Sequence, residues 1–200
     1  MEPTYRMAED PPPAPTWEDY ATRVQQEWQR ILDKTPPVPE ADVQAFLERH
    51  PAMVPGAFST GGVGNSGHYP FLSALITQPP LRGIGANIPD FMWIATDSGS
   101  ICPVLIEIER PDKRWFTGAG NPTADFTQAQ TQLACWKAWM DDPANQNVFR
   151  EFYGLPDRLW RTRAFRPQYI LVYGRRVELE KDEDLSIGGG STCSATAKHT

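Results

Sequence analysis

The sequence lacks three features that would each have decided a protein class. Its three cysteines, Cys102, Cys135 and Cys193, match no zinc-binding spacing and are odd in number. It has no apolar run of membrane-spanning length and no basic-then-apolar leader. It has no excess of positive charge, because its formal net charge is −6. These absences argue against a disulfide-rich secreted domain and against a strongly basic nucleic-acid binder. We expect a soluble cytoplasmic protein without a membrane partner.

The composition is that of one globular domain with polar extensions. Apolar residues make up 40% of the 200 residues, enough for a sizeable core. Proline clusters near 11–15 and 36–39 indicate linkers. We therefore predict a disordered Pro-rich N-terminus at 1–16, a helix and linker at 17–39, an α/β domain at 40–180 and a flexible tail at 181–200. The glycines and small polar residues of the tail cannot build a core, and a truncated or frameshifted gene is the alternative explanation.

Hydrophobic periodicity predicts the order helix, three strands, helix, strand within the domain. Apolar residues at helical spacing predict helices at 17–32, 40–50, 123–140 and 146–153. Strand-like apolar runs predict strands at about 71–77, 89–95, 103–109 and 169–173. The second and third strands are separated only by Asp97-Ser98-Gly99, which favours an antiparallel hairpin. The predicted fold is a mixed central sheet flanked by helices.

Carboxylates interrupt two of the predicted strands. Asp90 follows Pro89, and Glu107 and Glu109 lie two residues apart in the apolar run that begins at Val104. Residues at this spacing point to one face of a strand, and an unpaired buried carboxylate is costly. If the strands pair, the three acids converge, and their oxygen atoms suit Mg²⁺ or Mn²⁺. The alternatives are a strand-initiating role for Asp90 and ordinary salt bridges for the two glutamates on an edge strand.

Four segments in this order resemble the nuclease domain of the Shedu anti-phage defence family. They are FLERHP at 46–51, IPDF at 88–91, LIEIERP at 105–111, and the helix that carries Gln128, Gln132 and Trp136. The resemblance covers roughly residues 40–175 and implies a core like that of the PD-(D/E)xK restriction endonucleases. It implies that Asp90 and Glu107 bind the metal, that Gln132 supports the site and that Glu48 is the acid of the first helix.

Glu109 departs from the usual pattern of that superfamily, in which the third-strand motif ends in lysine. We expect Glu109 to act as a third ligand or as a base that orients water. Lys113, just beyond the strand, and Lys137, on the following helix, are two candidates for bringing an ammonium group into the site from another backbone position.

The resemblance implies a divalent-metal-dependent endonuclease that cleaves DNA in defence against phage, usually as a homo-oligomer. The alternative is a degenerate nuclease fold that binds nucleic acid or a protein partner without cleaving. The missing lysine and the acidic net charge favour that alternative.

Basic residues concentrate in the C-terminal part of the chain. Arg158, Arg161, Arg163 and Arg166 fall within nine residues. A local patch of this kind is sufficient for nucleic-acid binding even in an acidic protein. Trp115 and Phe116, which follow two basic residues, belong either to a nucleic-acid groove or to the core.

Overall fold

The computed structural model describes residues 15–56, 70–71, 74–82 and 88–175. The tail predicted at 181–200 lies outside these ranges, and so does the predicted N-terminal extension apart from residues 15 and 16. No helix within the described ranges is long and apolar enough to cross a membrane.

Two helices precede the sheet. α1 (Trp17–Asp33) begins at Thr16, whose hydroxyl accepts a hydrogen bond from the Asp19 amide at 3.1 Å. This side-chain cap satisfies one of the amides that an α-helix leaves unpaired at its start. α2 (Glu40–Arg49) follows Pro39 and leads into a short 3₁₀ turn at Pro51–Met53. Both helices match their predicted positions to within one residue.

The sheet has a mixed topology. Its strands are β1 (Ile76–Thr77), β2 (Phe91–Thr96), β3 (Ser100–Ile108), β4 (Ala164–Phe165) and β5 (Gln168–Val172). β1, β2 and β3 pair in antiparallel fashion, whereas β4 and β5 both pair with β3 in parallel fashion. The predicted hairpin is confirmed, and the Asp97 carboxylate closes its turn by accepting the amides of Gly99 and Ser100 at 2.7 and 2.6 Å. The first strand is shorter than predicted: β1 begins at Ile76, whereas the prediction began it at about residue 71.

Alternate residues of the central strands enter two separate cores. On one face, Trp93, Val104 and Ile106 pack with residues of α1 and α2, including Val24 and Phe46. On the other face, the strands pack against α3 (Ala124–Asp141) and α4 (Pro143–Phe152), with Trp136 fully buried. β3 is buried along its whole length because helices cover both faces.

The second half of the chain contains two elements that periodicity did not predict. α5 (Asp157–Thr162) has six residues, and β4 has two. The helix predicted at 146–153 begins earlier, at Pro143, with Asp142 as its cap. The predicted mixed sheet flanked by helices is thus confirmed, and the order helix, three strands, helix, strand holds with these additions.

Candidate active site

The end of the β2–β3 hairpin brings two carboxylates together. Phe91 pairs with Ile106, and continuing this register by one residue places Asp90 opposite Glu107. Directly opposite residues of an antiparallel pair have Cβ atoms about 5 Å apart. The structure therefore brings together the two residues predicted to bind a metal.

Asp90 is anchored to the strand that carries its partner. One carboxylate oxygen, Oδ2, accepts a hydrogen bond from the Ile108 amide at 2.8 Å, and the Asp90 carbonyl accepts the Gln78 amide at 2.8 Å. Burial raises the pKa of Asp90 from 3.8 to about 6, against the opposing effect of the Ile108 amide, and nearby Glu40 and Glu109 raise it further. The alternative strand-initiating role fits the position of Asp90 directly before β2, and a metal-binding role is compatible with the Ile108 bond, which uses Oδ2 alone.

Glu107 is the most constrained carboxylate of the group. Its residue is 9% exposed, and its Oε2 atom is buried without a hydrogen-bond partner among the described residues. Burial is the main reason that its pKa rises from 4.5 to about 8, and repulsion from Asp90 and Glu109 adds to it. The neighbouring Gln132 amide, on α3, favours the charged form and acts in the opposite direction. The structure therefore brings Gln132 close to Glu107.

Glu109 lies just beyond the end of β3, where its amide still donates to the Val172 carbonyl at 2.8 Å. Its carboxylate forms an ion pair with the Lys113 ammonium, and both side chains are largely buried, at 12% and 20% exposed. The hydrogen bond and the charge of Glu109 raise the pKa of Lys113 even though burial opposes this. Of the two predicted lysine candidates, Lys113 is the one that joins the acids, whereas Lys137 is exposed on α3.

Glu40 is a member of this group that the sequence analysis missed. It is the first residue of α2, and its carboxyl group lies close enough to Glu109 for the two to interact electrostatically. Burial and repulsion from Glu109 raise its pKa, although the residue keeps more than a third of its surface in solvent, so water screens this repulsion. Glu48, the predicted first-helix acid, is exposed eight residues further along α2 and accepts a hydrogen bond from Gln44 at 3.2 Å. The structure does not bring Glu48 to the group.

An aromatic cluster holds the turn that carries Lys113. Trp115 packs against Phe126 and Tyr173 with ring centroids 4.9 and 5.1 Å apart. The Thr123 hydroxyl, which also caps α3, donates to the Arg114 carbonyl at 2.7 Å. Of the two predictions for Trp115, the structure therefore shows packing. These contacts fix the position of Lys113 relative to the strand ends.

The carboxylates of the site meet part of the ligand requirement of a divalent cation. Within the described ranges, no group of three or more His, Cys, Asp or Glu side chains is arranged to hold a metal ion. Mg²⁺ is commonly held by one or two carboxylates together with water, so Asp90 and Glu107 are a sufficient protein contribution. The unpartnered Oε2 atom of Glu107 is an oxygen of the hard type that such a cation takes. A bound cation would also relieve the repulsion that raises both pKa values.

Comparison with known proteins identifies one family. The family model described as Shedu protein SduA, C-terminal, matches residues 38–189. This segment covers Glu40, both strand carboxylates, Lys113 and α3. No curated protein and no solved structure matches the chain.

Proposed function

Since this chain belongs to the Shedu protein SduA C-terminal family, we propose that it is a divalent-metal-dependent endonuclease that cleaves DNA in anti-phage defence. The family membership confirms the resemblance read from the sequence and suggests the biological role. The chemistry, the metal and the assignment to the PD-(D/E)xK superfamily are the proposal.

The proposal rests mainly on the charged side chains that meet at the open end of the β2–β3 hairpin. Asp90, Glu107 and Glu109 approach one another from two strands, and Lys113 adds an ammonium group paired with Glu109. Acids held this close destabilise the fold, so an arrangement that retains them points to a functional site. Lys113 compensates for the glutamate at the usual lysine position.

Each residue has a distinct role in this proposal. Asp90 and Glu107 would hold Mg²⁺ or Mn²⁺, which supplies charge neutralisation at phosphate oxygens and a more acidic bound water when present. Gln132, which lies close to Glu107, would orient its carboxylate by donating a hydrogen bond. Glu109 accepts a proton or orients a water molecule, and Lys113 offers its ammonium to the anionic phosphate. Glu40, on α2, adds a fourth carboxylate to the acidic group.

A cleavage assay with isosteric variants tests the proposal. Supercoiled and linear DNA are incubated with Mg²⁺ or Mn²⁺ and with the wild type, Asp90→Asn or Glu107→Gln, with EDTA as the chemical control. We expect metal-dependent nicking that is lost in both variants. Glu48→Gln and Glu40→Gln form a matched pair on α2, and only the Glu40 change is expected to reduce cleavage. Cleavage that survives Glu107→Gln would refute the assigned site.

The second candidate is a nuclease fold that binds without cleaving. Two observations favour it: the described residues offer no three-ligand metal group, and Lys113 already neutralises Glu109. A folded wild type that binds DNA but shows no cleavage with either metal would establish this candidate.

A further inference from the structure

A second charged surface lies at the other end of the sheet. Residues 143–166 contain five arginines and two acidic residues, a net charge of +3 in a chain whose total is −6. We refer to Arg158, Arg161, Arg163 and Arg166 as the arginine patch. Two belong to α5, and the other two flank β4. The proposed cleavage site makes no use of them.

The arginine patch is not neutralised by the protein around it. Asp157 and Glu151 are the two acids of this segment, and both pair with Arg150, at 3.1 and 3.8 Å. Among the residues that the structure describes, none of the four patch arginines has an ion-pair partner. Arg158, Arg161 and Arg166 are exposed, and Arg163 is half-buried. Their guanidinium groups are therefore available to an external anion.

The backbone fixes where the patch lies relative to the acids. The Ala164 amide donates to the Gly99 carbonyl at 2.8 Å, and the Arg166 amide donates to the Ile101 carbonyl at 2.9 Å. Both bonds are at the start of β3, whereas Glu107 is near its end. Seven residues of extended strand separate the two points, which corresponds to about 23 Å.

The surface next to the patch also contains an aromatic group. Trp160 of α5 is half-buried, and the Arg150 guanidinium lies 6.0 Å from its ring centroid. This contact keeps Arg150, already engaged by two acids, directed at the protein rather than at solvent. Arg158 and Arg161 extend from α5, which Leu159 and Trp160 pack against the second core. Arg163 and Arg166 flank β4, which pairs with β3, so all four arginines are presented on a fixed support.

We infer that the arginine patch binds DNA phosphates remote from the cleaved bond, so that one duplex spans both ends of β3. This inference rests on the proposed function. Arginine binds phosphate in a bidentate manner, and its charge does not titrate at physiological pH. A separation of about 23 Å corresponds to roughly seven base pairs along a duplex. Duplexes shorter than this cannot reach both surfaces at once.

Equilibrium binding tests the inference without requiring cleavage. The affinity for a labelled 30-base-pair duplex is measured by fluorescence anisotropy in EDTA at several KCl concentrations, for the wild type and Arg158→Gln/Arg161→Gln. The matched control is Arg30→Gln/Lys34→Gln, which removes the same charge from exposed positions at the C-terminal end of α1. We expect about tenfold weaker binding for the patch variant and a salt slope smaller by about 2. The control should bind nearly as the wild type does.

The outcomes separate this inference from the proposed function. Equal losses in the patch variant and the control would show that only net charge matters. Unchanged binding in both would show that the duplex does not contact the patch and would leave an acidic protein as the alternative partner. Either result overturns the inference. Patch-dependent binding by a protein that cleaves nothing would support the inference and refute the proposed function. Thermal unfolding checks that each variant is folded, and Arg163→Gln/Arg166→Gln provides a second patch variant.

Discussion

Replacing Glu107 by glutamine should stabilise the metal-free protein at alkaline pH. The pKa of Glu107 is raised from 4.5 to about 8 in the folded state, because the carboxylate is buried and faces Asp90. Between these two pH values the unfolded chain loses this proton while the folded protein keeps it. The carboxylate therefore lowers the free energy of unfolding as pH rises through this window, and above pH 8 the full cost is present.

The size of this effect follows from the pKa difference. Each pKa unit corresponds to about 1.4 kcal/mol, so the upper limit is roughly 5 kcal/mol. Asp90 titrates with Glu107 and shares part of the repulsion, so about 2–4 kcal/mol is the expected gain for Glu107→Gln at pH 9. For a domain of this size, that gain corresponds to a melting temperature higher by roughly 4–16 °C. At pH 4.5 the gain should be close to zero.

Urea denaturation in EDTA at pH 5, 7 and 9 measures the difference between the two proteins. Glu48→Gln makes the same chemical change at an exposed position and should leave the pH dependence unaltered. A Glu107→Gln curve that runs parallel to the wild type across this range would refute the reasoning, since it would mean that the folded state does not hold the proton.

Three further outcomes follow from the same region. At pH 8, Mg²⁺ at a hundredfold excess over its Kd should stabilise the wild type by about 2.7 kcal/mol and Glu107→Gln much less, as read by differential scanning fluorimetry. Lys113→Ala should reduce DNA cleavage by about 10² or more, whereas Lys137→Ala, at an exposed position on α3, should not; equal activities would exclude the ammonium role. Gly174→Ala should cost about 2–4 kcal/mol, since its φ is +58° and a Cβ atom would come within 2.6 Å of an indole nitrogen and 2.8 Å of the Lys113 carbonyl. Gly154→Ala, with φ +63° and open space around the added Cβ atom, isolates the backbone cost. Equal losses of unfolding free energy in urea denaturation would show that the clash at Gly174 adds no cost.

The local elements of the site could be predicted because short-range signals determine them. The turn Asp97-Ser98-Gly99 is too short for anything but a hairpin, and a hairpin with that turn places Asp90 beside Glu107. The helix that carries Gln132 follows from its periodicity, whereas the site role of Gln132 comes from the resemblance to the Shedu family. In the hairpin and in this helix a regular period carries the position of a residue from one end of the element to the other.

The remaining site residues depend on tertiary contacts that leave no periodic signal. Glu40 reaches Glu109 because α2 starts beside the end of β3, whereas in the sequence it is only an acid in a first helical turn, a common position. Lys113 is placed by a turn that Trp115 and its aromatic neighbours hold. α5 has six residues, which is less than two helical turns and too short for a helical period to show.

The packing of α1 shows that the folded domain is larger than the segment matched by the family model. The family match begins at residue 38, yet Val24 is fully buried in the first core, and Trp28 stacks on Phe46 with ring centroids 5.2 Å apart. A fragment cut at the family boundary would expose Phe46 and the sheet face behind it to water. α1 therefore has to accompany the family segment in any transplanted or shortened version, and a relative that lacks this helix needs another element to cover the same face.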